Sequence, residues 1–221
     1  MHHFYVQYGC GHSVGDGWLN FDASPRLRVE KIPLCGTMIS AALSGSRDRF
    51  PASVRYGDIR KGLLVPEGTT DGIYASYVLE HLALSDFRKA LANTYKMVAD
   101  GGVFRLVVPG LLERARRYVS TAEEMPGAAE EFFRATSLGK ENRPTGLSGL
   151  MREIMGNSAH LWMWDEASIT QELSSAGFTR IRRRDCGDSG IPMFDAVEEP
   201  SRFYDTSLNI RECAIEAWKT P

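Results

Sequence analysis

The sequence predicts an α/β fold in which helices cover the faces of a mostly parallel sheet. Strand-like and helix-like runs alternate: a buried strand begins at Asp71, an apolar helical repeat follows over 85–98, and a β-branched run occupies 103–108. The chain has 221 residues, of which 43% are hydrophobic and 24% charged. That length and composition suffice for one well-buried core. We therefore expect a single domain over 1–221.

A glycine turn between the first two strand-like runs is the first sign of a ligand site. An apolar run ends at Tyr8, glycine-rich residues 9–11 follow, and the run 18–21 ends on Asp22. Glycine lets backbone approach a ligand closely, and a carboxylate at a strand end can accept both hydroxyls of a ribose. The order of these features predicts a nucleotide-binding turn.

The details of this turn argue against two common kinds of nucleotide site. A dinucleotide fingerprint requires a third glycine where Val14 stands, and its ribose acid comes about 20 residues later, after a helix. Asp22 follows Gly11 so closely that little room is left for a first crossover helix. The chain also contains no GK[ST] motif, so a phosphate-binding P-loop is excluded.

Turn and helix signals predict the elements that follow. Pro25 is expected to break the structure after the second strand, because the residue before a proline avoids the helical region. Residues 27–55 indicate a loop or one short helix at 38–43, and 54–59 indicate a short strand. Ser85 is the expected N-cap of the next helix, which the glycine pair 101–102 is expected to end.

The second half of the chain predicts a helical insertion and then two strands. Residues 111–157 are polar and helical with a loop-like middle, and we expect an insertion or lid over the ligand edge. Asp165 is the expected N-cap of a further helix that ends at Gly177. Strands are predicted at 178–185 and 213–219, and turn formers fill 187–209.

Glycine and polar positions recur where the predicted strands end. Ligands of parallel sheets bind beyond the carboxyl ends of the strands. This rule brings Gly9, Gly11, Asp22, Asp58 and residues 75–77 to one edge of the sheet, although they are far apart in the sequence. We expect the ligand site at that edge.

Charge, cysteines and hydropathy exclude several classes of protein. The 26 basic and 28 acidic side chains give no basic excess for nucleic acid. The four cysteines form no CxxC pair and no histidine stands at metal-ligand spacing, which argues against structural zinc and a disulfide scaffold. No signal peptide and no membrane span are indicated. We therefore expect a cytoplasmic protein with no nucleic-acid partner, no membrane contact and no bound metal.

At these residues the sequence resembles the class I S-adenosylmethionine-dependent methyltransferases. Within that class it is most similar to a bacterial branch of small methyltransferases with the pattern GCG, a short gap, then GW-[IL]-N-x-D. The resemblance covers most of the chain except 27–49 and 113–157. The matching segments are 9–11, 17–20 with Asp22, 77–82, 101–109, 160–165 and 176–178.

The resemblance implies a Rossmann-like sheet of seven strands with an antiparallel last strand, a shortened first crossover and a helical insertion after the fifth strand. It also implies S-adenosylmethionine as the cofactor at the carboxyl edge. Gly9 and Gly11 would pass beneath the methionine part of this donor, and Asp22 would bind its ribose. The expected cofactor-binding residues are Tyr8, Gly9, Cys10, Gly11, Asp22, Asp58, Ile59, Ala75 and Ser76.

Histidines and aromatic rings supply the candidates on the acceptor side. His81 follows the fourth strand, and since histidine titrates near neutrality it is our candidate general base; the alternative is that it packs against the next helix. Cys10 is expected to be a buried thiol rather than a nucleophile. The expected substrate-binding residues are Tyr77, His160, Trp162 and Trp164, and a core position is the alternative for the large rings.

The sequence thus predicts an enzyme that transfers a methyl group from S-adenosylmethionine to a small acceptor. The resemblance favours O-methylation of a saccharide-related molecule, and a homodimer is a further expectation. Two other functions stay open at this point. One is a noncatalytic binding module with the same fold, and the other is a nicotinamide-dependent oxidoreductase.

Overall fold

A seven-stranded sheet forms the centre of the computed structural model, which describes residues 4–44, 48–143, 145–146, 149 and 159–221. The strands are β1 (Phe4–Tyr8), β2 (Trp18–Asp22), β3 (Arg55–Tyr56), β4 (Thr70–Ser76), β5 (Val98–Val108), β6 (Thr179–Arg183), β7 (Tyr204–Asp205), β8 (Ile210–Arg211) and β9 (Cys213–Trp218). The sheet order is β3-β2-β1-β4-β5-β9-β6, and β7 with β8 forms a separate hairpin. Among the described pairings of this sheet, those of β9 with β5 and β6 are antiparallel and the others are parallel. The predicted sheet, with its antiparallel last strand, is confirmed.

Helices and short 3₁₀ turns connect these strands. The α-helices are α1 (Pro25–Glu30), α2 (Gly36–Ser44), α3 (Leu84–Met97), α4 (Leu111–Thr121), α5 (Ala128–Ala135) and α6 (Glu166–Ser175). The 3₁₀ turns are Ile59–Lys61, Leu79–His81, Pro192–Ala196 and Pro200–Arg202. In the described part of the chain, no helix combines the length and apolar character needed to cross a bilayer.

The first crossover contains no helix, as predicted. β1 and β2 are neighbouring parallel strands joined directly by residues 9–17. Parallel strands usually need a dozen or more residues for their crossover. The sheet face beside this connection is covered instead by the turn Pro192–Ala196, where Phe194 contacts Trp18 and Tyr74 with ring centroids 5.5 and 6.2 Å apart.

The boundaries of α3 correct two predictions. The helix begins at Leu84 with Ala83 as N-cap, rather than at Ser85, because the Ala83 carbonyl already accepts the first helical hydrogen bonds at 2.9 Å. It ends at Met97, before the glycine pair that we expected to end it. Gly101, with φ +83°, lies inside β5 instead.

Two further corrections concern the segment between β2 and α3. Pro25 does not break the structure but begins α1, where Ser24 is the N-cap and a proline at the first helical position costs no hydrogen bond. The strand predicted over 54–59 shrinks to β3, because Asp58 caps the 3₁₀ turn that starts at Ile59. The predicted helix at 38–43 is confirmed by α2.

Helices α3 and α6 cover the main apolar core on one face of the sheet. Phe87 and Leu91 of α3 and Ile169 and Leu173 of α6 are buried there. Asp165 caps α6 as predicted, since its Oδ1 accepts a hydrogen bond from the Ser168 backbone N–H at 2.8 Å. This packing fixes the ends of β4 and β5 relative to the helices.

The helical insertion after β5 is confirmed by α4 and α5. The buried guanidinium of Arg114, on α4, donates to both carboxylate oxygens of Glu212 at 2.6 and 2.7 Å. Arg117 and Glu131 pair α4 with α5 at 2.5 Å. The insertion is therefore anchored to the segment before β9. Of its predicted extent, 144, 147–148 and 150–157 lie outside the described residues.

Candidate active site

A cleft of about 760 Å³ opens at the carboxyl edge of the sheet, beyond β1, β2 and β4. Its volume is within the range of small-molecule sites. All the strand-end residues that we expected at one edge line this cleft, except Ala75. The cleft is lined, among others, by Gln7, Gly9, Cys10, Gly11, His12, Asp22, Asp58, Ile59, Ser76, Tyr77, Val78 and His81.

The glycine turn passes close to the chain that leaves β4. Gly9 and Gly11 have φ angles of +64° and +55°, a region that disfavours other residues. A Cβ atom at Gly9 would lie 2.2 Å from Cγ2 of Val78, whereas a Cβ at Gly11 would meet nothing within 4 Å. Gly9 is thus required by both conformation and space, and Gly11 by conformation alone.

Asp22 holds the glycine turn in place from the end of β2. Its side chain is nearly buried, with 8% of the residue exposed. Oδ2 accepts a hydrogen bond from the Gly11 N–H at 2.9 Å, and Oδ1 accepts one from the Ser24 N–H at 2.7 Å. Each carboxylate oxygen has a second lone pair. The carboxylate can therefore shape the turn and still accept hydroxyl groups from a ligand.

Two other polar side chains at the cleft, those of Asp58 and Gln7, differ in their hydrogen bonding. Asp58 receives hydrogen bonds from the Arg60 guanidinium at 2.8 and 2.9 Å, and this partner lowers the pKa of the Asp58 carboxyl. Gln7 is buried, and its Oε1 has no hydrogen-bond partner among the residues described. A buried amide oxygen without a partner is costly, so Gln7 favours a polar ligand in the cleft.

Cys10 lies in the middle of the glycine turn, where a nucleophilic role would be conceivable. Burial, with a smaller contribution from the Asp22 carboxylate, raises the pKa of its thiol to about 12. The thiolate, which is the reactive form, is therefore scarce at neutral pH. Its placement agrees with the predicted buried thiol.

One acidic and two histidine side chains come together beside the cleft. The Glu80 side chain is 0% exposed, and its Oε1 lies 4.0 Å from Nε2 of His81 and 3.9 Å from Nε2 of His160. Burial raises the pKa of the Glu80 carboxyl to about 8. His81 lines the cleft, whereas His160 lines a neighbouring cavity. The predicted general base and a predicted substrate residue are thus brought together.

Tyr77 separates the cleft from this second cavity, which has a volume of about 810 Å³, and it lines both. Its backbone has a φ of +55°, and its hydroxyl donates to Oε1 of Glu212 at 2.9 Å. The Arg202 guanidinium lies 4.9 Å from the ring centroid. Burial and the Glu212 carboxylate raise the pKa of the phenol, which therefore stays neutral. The insertion helices α4 and α5 form the other side of this cavity.

Comparison with known proteins shows which family has this arrangement. The sequence profile of the family described as "Methyltransferase domain" matches residues 14–182. The chain belongs to that methyltransferase family. With its sheet order and antiparallel β9, the domain is a class I S-adenosylmethionine-dependent methyltransferase by fold, and S-adenosylmethionine is the cofactor of this class.

Solved structures similar to this methyltransferase domain share little sequence with it. A methyltransferase from Archaeoglobus fulgidus is 14% identical, with 98% of this chain and 86% of that chain covered and a TM-score of 0.49. A putative methyltransferase from Haloferax volcanii, in complex with the activator Trm112, is 12% identical (99% and 82% covered, TM-score 0.49). PigF with SAH is 16% identical with a TM-score of 0.45, and this chain spans 56% of its length. No curated protein matches.

Several predicted residues of the methyltransferase site lie in the core rather than in the cleft. The Tyr8 hydroxyl contacts that of Thr94 at 3.2 Å inside the core, and Ala75 is buried as well. Trp164 was expected to bind the substrate, but its indole is buried and stacks on Phe87 with centroids 4.1 Å apart. Tyr8 and Ala75 point to the core because successive strand residues face opposite sides of the sheet, and Trp164 is held against α3 by its stacking on Phe87.

Trp162, also predicted to bind the substrate, is 42% exposed and lines neither the cleft nor the second cavity. The prediction missed Glu80, Arg60 and Arg202, although all three contribute to the site. Glu80 directly precedes His81, so its position after β4 was the one available signal.

Proposed function

We propose that the protein transfers a methyl group from S-adenosylmethionine to an oxygen atom of a small acceptor. The observation that carries the proposal is the cleft in which the glycine turn and the Asp22 carboxylate meet beyond β1 and β2. The membership of the chain in the methyltransferase family supports the same conclusion.

The residues of the cleft fit this donor. When bound, S-adenosylmethionine supplies an electrophilic methyl group on a positively charged sulfur. Asp22 has free lone pairs for the ribose hydroxyls, and the unpartnered Oε1 of Gln7 can accept a further donor N–H or O–H. Gly9 and Gly11 would hold the methionine part, and Asp58 and Ile59 would flank the adenine, as the resemblance implies.

The second cavity supports a separate place for the acceptor. It adjoins the cleft at Tyr77 and is walled by the insertion, which agrees with the proposed role of 111–157 as a lid. His160 lines it, and His81 faces the cleft beside it. Since methyl transfer is an in-line displacement, holding the acceptor close and aligned supplies much of the acceleration. We propose a saccharide-related hydroxyl compound as the acceptor.

We assign to His81 the role of the base that takes the proton of the acceptor. Its Nδ1 lies 2.9 Å from the Ala159 carbonyl oxygen, which can only accept a hydrogen bond, so Nδ1 carries the proton of the neutral ring. The other nitrogen, Nε2, is then free to accept one. This geometry supports the role of general base over that of a helix cap.

Calorimetric titration with S-adenosylhomocysteine tests the donor site. Asp22→Asn, which preserves the size of the side chain, should weaken binding at least about tenfold, the loss expected when a charged hydrogen-bond acceptor becomes neutral. Asp16→Ala is the matched control, because this acid is exposed in the same connection, outside the cleft. Its affinity should equal that of the wild type.

Other results would change the assignment. No binding of S-adenosylmethionine or S-adenosylhomocysteine at millimolar concentration would refute the proposal. Donor binding without methyl release to any hydroxyl acceptor would favour the noncatalytic binding module. Binding of NAD(H) instead of S-adenosylmethionine would favour the oxidoreductase.

A further inference from the structure

Glu80 is a buried carboxylate without a hydrogen-bond partner in the described part of the chain. Its side chain is 0% exposed, and neither carboxylate oxygen has a hydrogen-bond partner there. The imidazoles of His81 and His160 face Oε1, but at 4.0 and 3.9 Å both are beyond hydrogen-bond distance. Burying a carboxylate in this way is costly unless a positive group compensates. The gap between these three side chains therefore suits a cation.

Both imidazoles turn a lone pair toward this gap. The Nδ1 atoms of His81 and His160 lie 2.9 Å from the Ala159 carbonyl oxygen and 2.7 Å from that of Thr136. Since a carbonyl only accepts, each Nδ1 carries the proton of its neutral ring and each Nε2 has a free lone pair. Metal-binding histidines commonly donate their second N–H to a carbonyl in this manner, which fixes the ring.

The backbone of the fold brings the three side chains together. Glu80 and His81 lie on the 3₁₀ turn that follows β4. The Glu80 carbonyl accepts hydrogen bonds from the backbone N–H groups of Leu161 and Trp162 at 2.8 and 3.1 Å, which fixes the segment that contains His160. The three ligand atoms lie within 4.8 Å of one another. The cluster is thus built by two distant segments of the chain.

We propose that Glu80, His81 and His160 bind one divalent transition-metal ion of the Zn²⁺, Fe²⁺ or Mn²⁺ class. Two imidazoles and one carboxylate are a donor set that these ions favour. In such complexes neighbouring ligand atoms are about 3.0–3.4 Å apart, so each histidine would approach Oε1 by roughly 0.5–1 Å. Three protein ligands leave open positions on the ion, which is typical of catalytic rather than structural sites.

The location of the cluster indicates what would occupy the open positions. His81 lines the donor cleft and His160 the second cavity, so the ion would lie where the two meet. This role rests on the proposed function. An acceptor hydroxyl that coordinates the ion loses its proton to water more readily, and its oxygen then bonds to the methyl carbon as the C–S bond of the donor breaks. In the metal-bound protein His81 would act as a ligand instead of as the general base, because its Nε2 lone pair would bind the ion, and the ion would take over the activation of the acceptor.

Titration of the metal-free protein with Co²⁺ tests the site without any donor or acceptor. We expect one Co²⁺ per chain, with visible absorption bands that Zn²⁺ abolishes by displacement. Glu80→Gln and His160→Ala should each weaken Co²⁺ binding at least 100-fold. The double variant His2→Ala/His3→Ala is the control, because it removes two consecutive histidines but none of the three proposed ligands. It should bind as the wild type does.

The possible outcomes separate the metal site from the methyl transfer. Absence of stoichiometric Co²⁺ and Zn²⁺ binding at millimolar concentration overturns the proposal, and so does binding that survives in Glu80→Gln and His160→Ala but fails in the histidine control. Circular dichroism and S-adenosylhomocysteine binding show whether each variant folds. Should His160→Ala fail to fold, Glu80→Gln alone decides, because it preserves the side-chain volume and replaces the metal-binding carboxyl by an amide. Loss of donor binding would refute the methyltransferase function and leave the metal result unaffected.

Discussion

Replacing Gly9 by alanine should destabilise the protein much more than the same change at Gly11. Both residues have left-handed backbone, with φ +64° and +55°. That conformation costs an L-residue about 1–2 kcal/mol, of which about 0.4–1 kcal/mol is offset because alanine restricts the unfolded chain. At Gly9 the new Cβ would also lie 2.2 Å from Cγ2 of Val78. Such overpacking adds about 1–3 kcal/mol.

The expected loss of unfolding free energy is therefore about 0.5–1 kcal/mol for Gly11→Ala and about 1.5–4 kcal/mol for Gly9→Ala. Urea denaturation followed by circular dichroism measures both. The double variant Gly9→Ala/Val78→Ala identifies the cause, because truncation removes both Cγ atoms. If the overlap is responsible, the two changes couple by about 1–2 kcal/mol, so that the double variant is more stable than their sum predicts.

Two results would show that this reasoning is wrong. Equal losses for Gly9→Ala and Gly11→Ala would mean that the turn moves away from Val78 without cost. Strictly additive losses in the double variant would mean that backbone conformation alone determines the effect. S-adenosylhomocysteine titration of the folded variants then shows whether the glycine turn must touch the end of β4 to bind the donor.

Three further predictions concern buried charge, reactivity and pH. Glu212→Gln leaves the guanidinium of Arg114 buried with a weaker partner and should cost about 3–5 kcal/mol in urea denaturation, and a loss below about 1 kcal/mol would contradict this. Cys10, whose thiol pKa is raised to about 12, should resist alkylation at pH 8, whereas exposed Cys35 should react first, as peptide mass spectrometry can show. Asp165→Ala should cost about 1 kcal/mol at neutral pH. Hydrogen bonds from its helix lower the pKa of Asp165, so its contribution is lost as the pH falls through that pKa; an equal cost at pH 7 and pH 3 would be inconsistent.

Local pattern was enough to predict which strand ends line the cleft. Gly9, Gly11, Asp22, Asp58 and Ser76 all line one cleft because each follows or ends a strand of a parallel sheet, and such strand ends share one edge. The strands themselves were recognisable from short apolar runs. The topology then placed residues that are far apart in the sequence side by side.

Interactions between distant segments could not be predicted in the same way. Arg105 stands in an apolar strand pattern, yet it is fully buried and paired with Glu198 and Glu216, which come from the far end of the chain. The burial of Glu80 likewise depends on the segment that contains His160. Neither pairing leaves a signal in the local sequence, because amino-acid composition and hydrophobic periodicity describe only residues that are close together in the chain.

The missing first crossover helix has a structural substitute, which also forms part of the cleft. Trp18, at the start of β2, donates from Nε1 to the Met193 carbonyl oxygen at 3.1 Å and contacts the Phe194 ring. Val197 would lie only 2.4 Å from a Cβ at Gly15, so the connection between β1 and β2 packs directly against this segment. A polypeptide stretch near the C-terminal end thus covers the face that a helix usually protects. Because Val197 also lines the cleft, the same stretch forms part of the cleft wall, and the short connection does not leave the cleft open on this side.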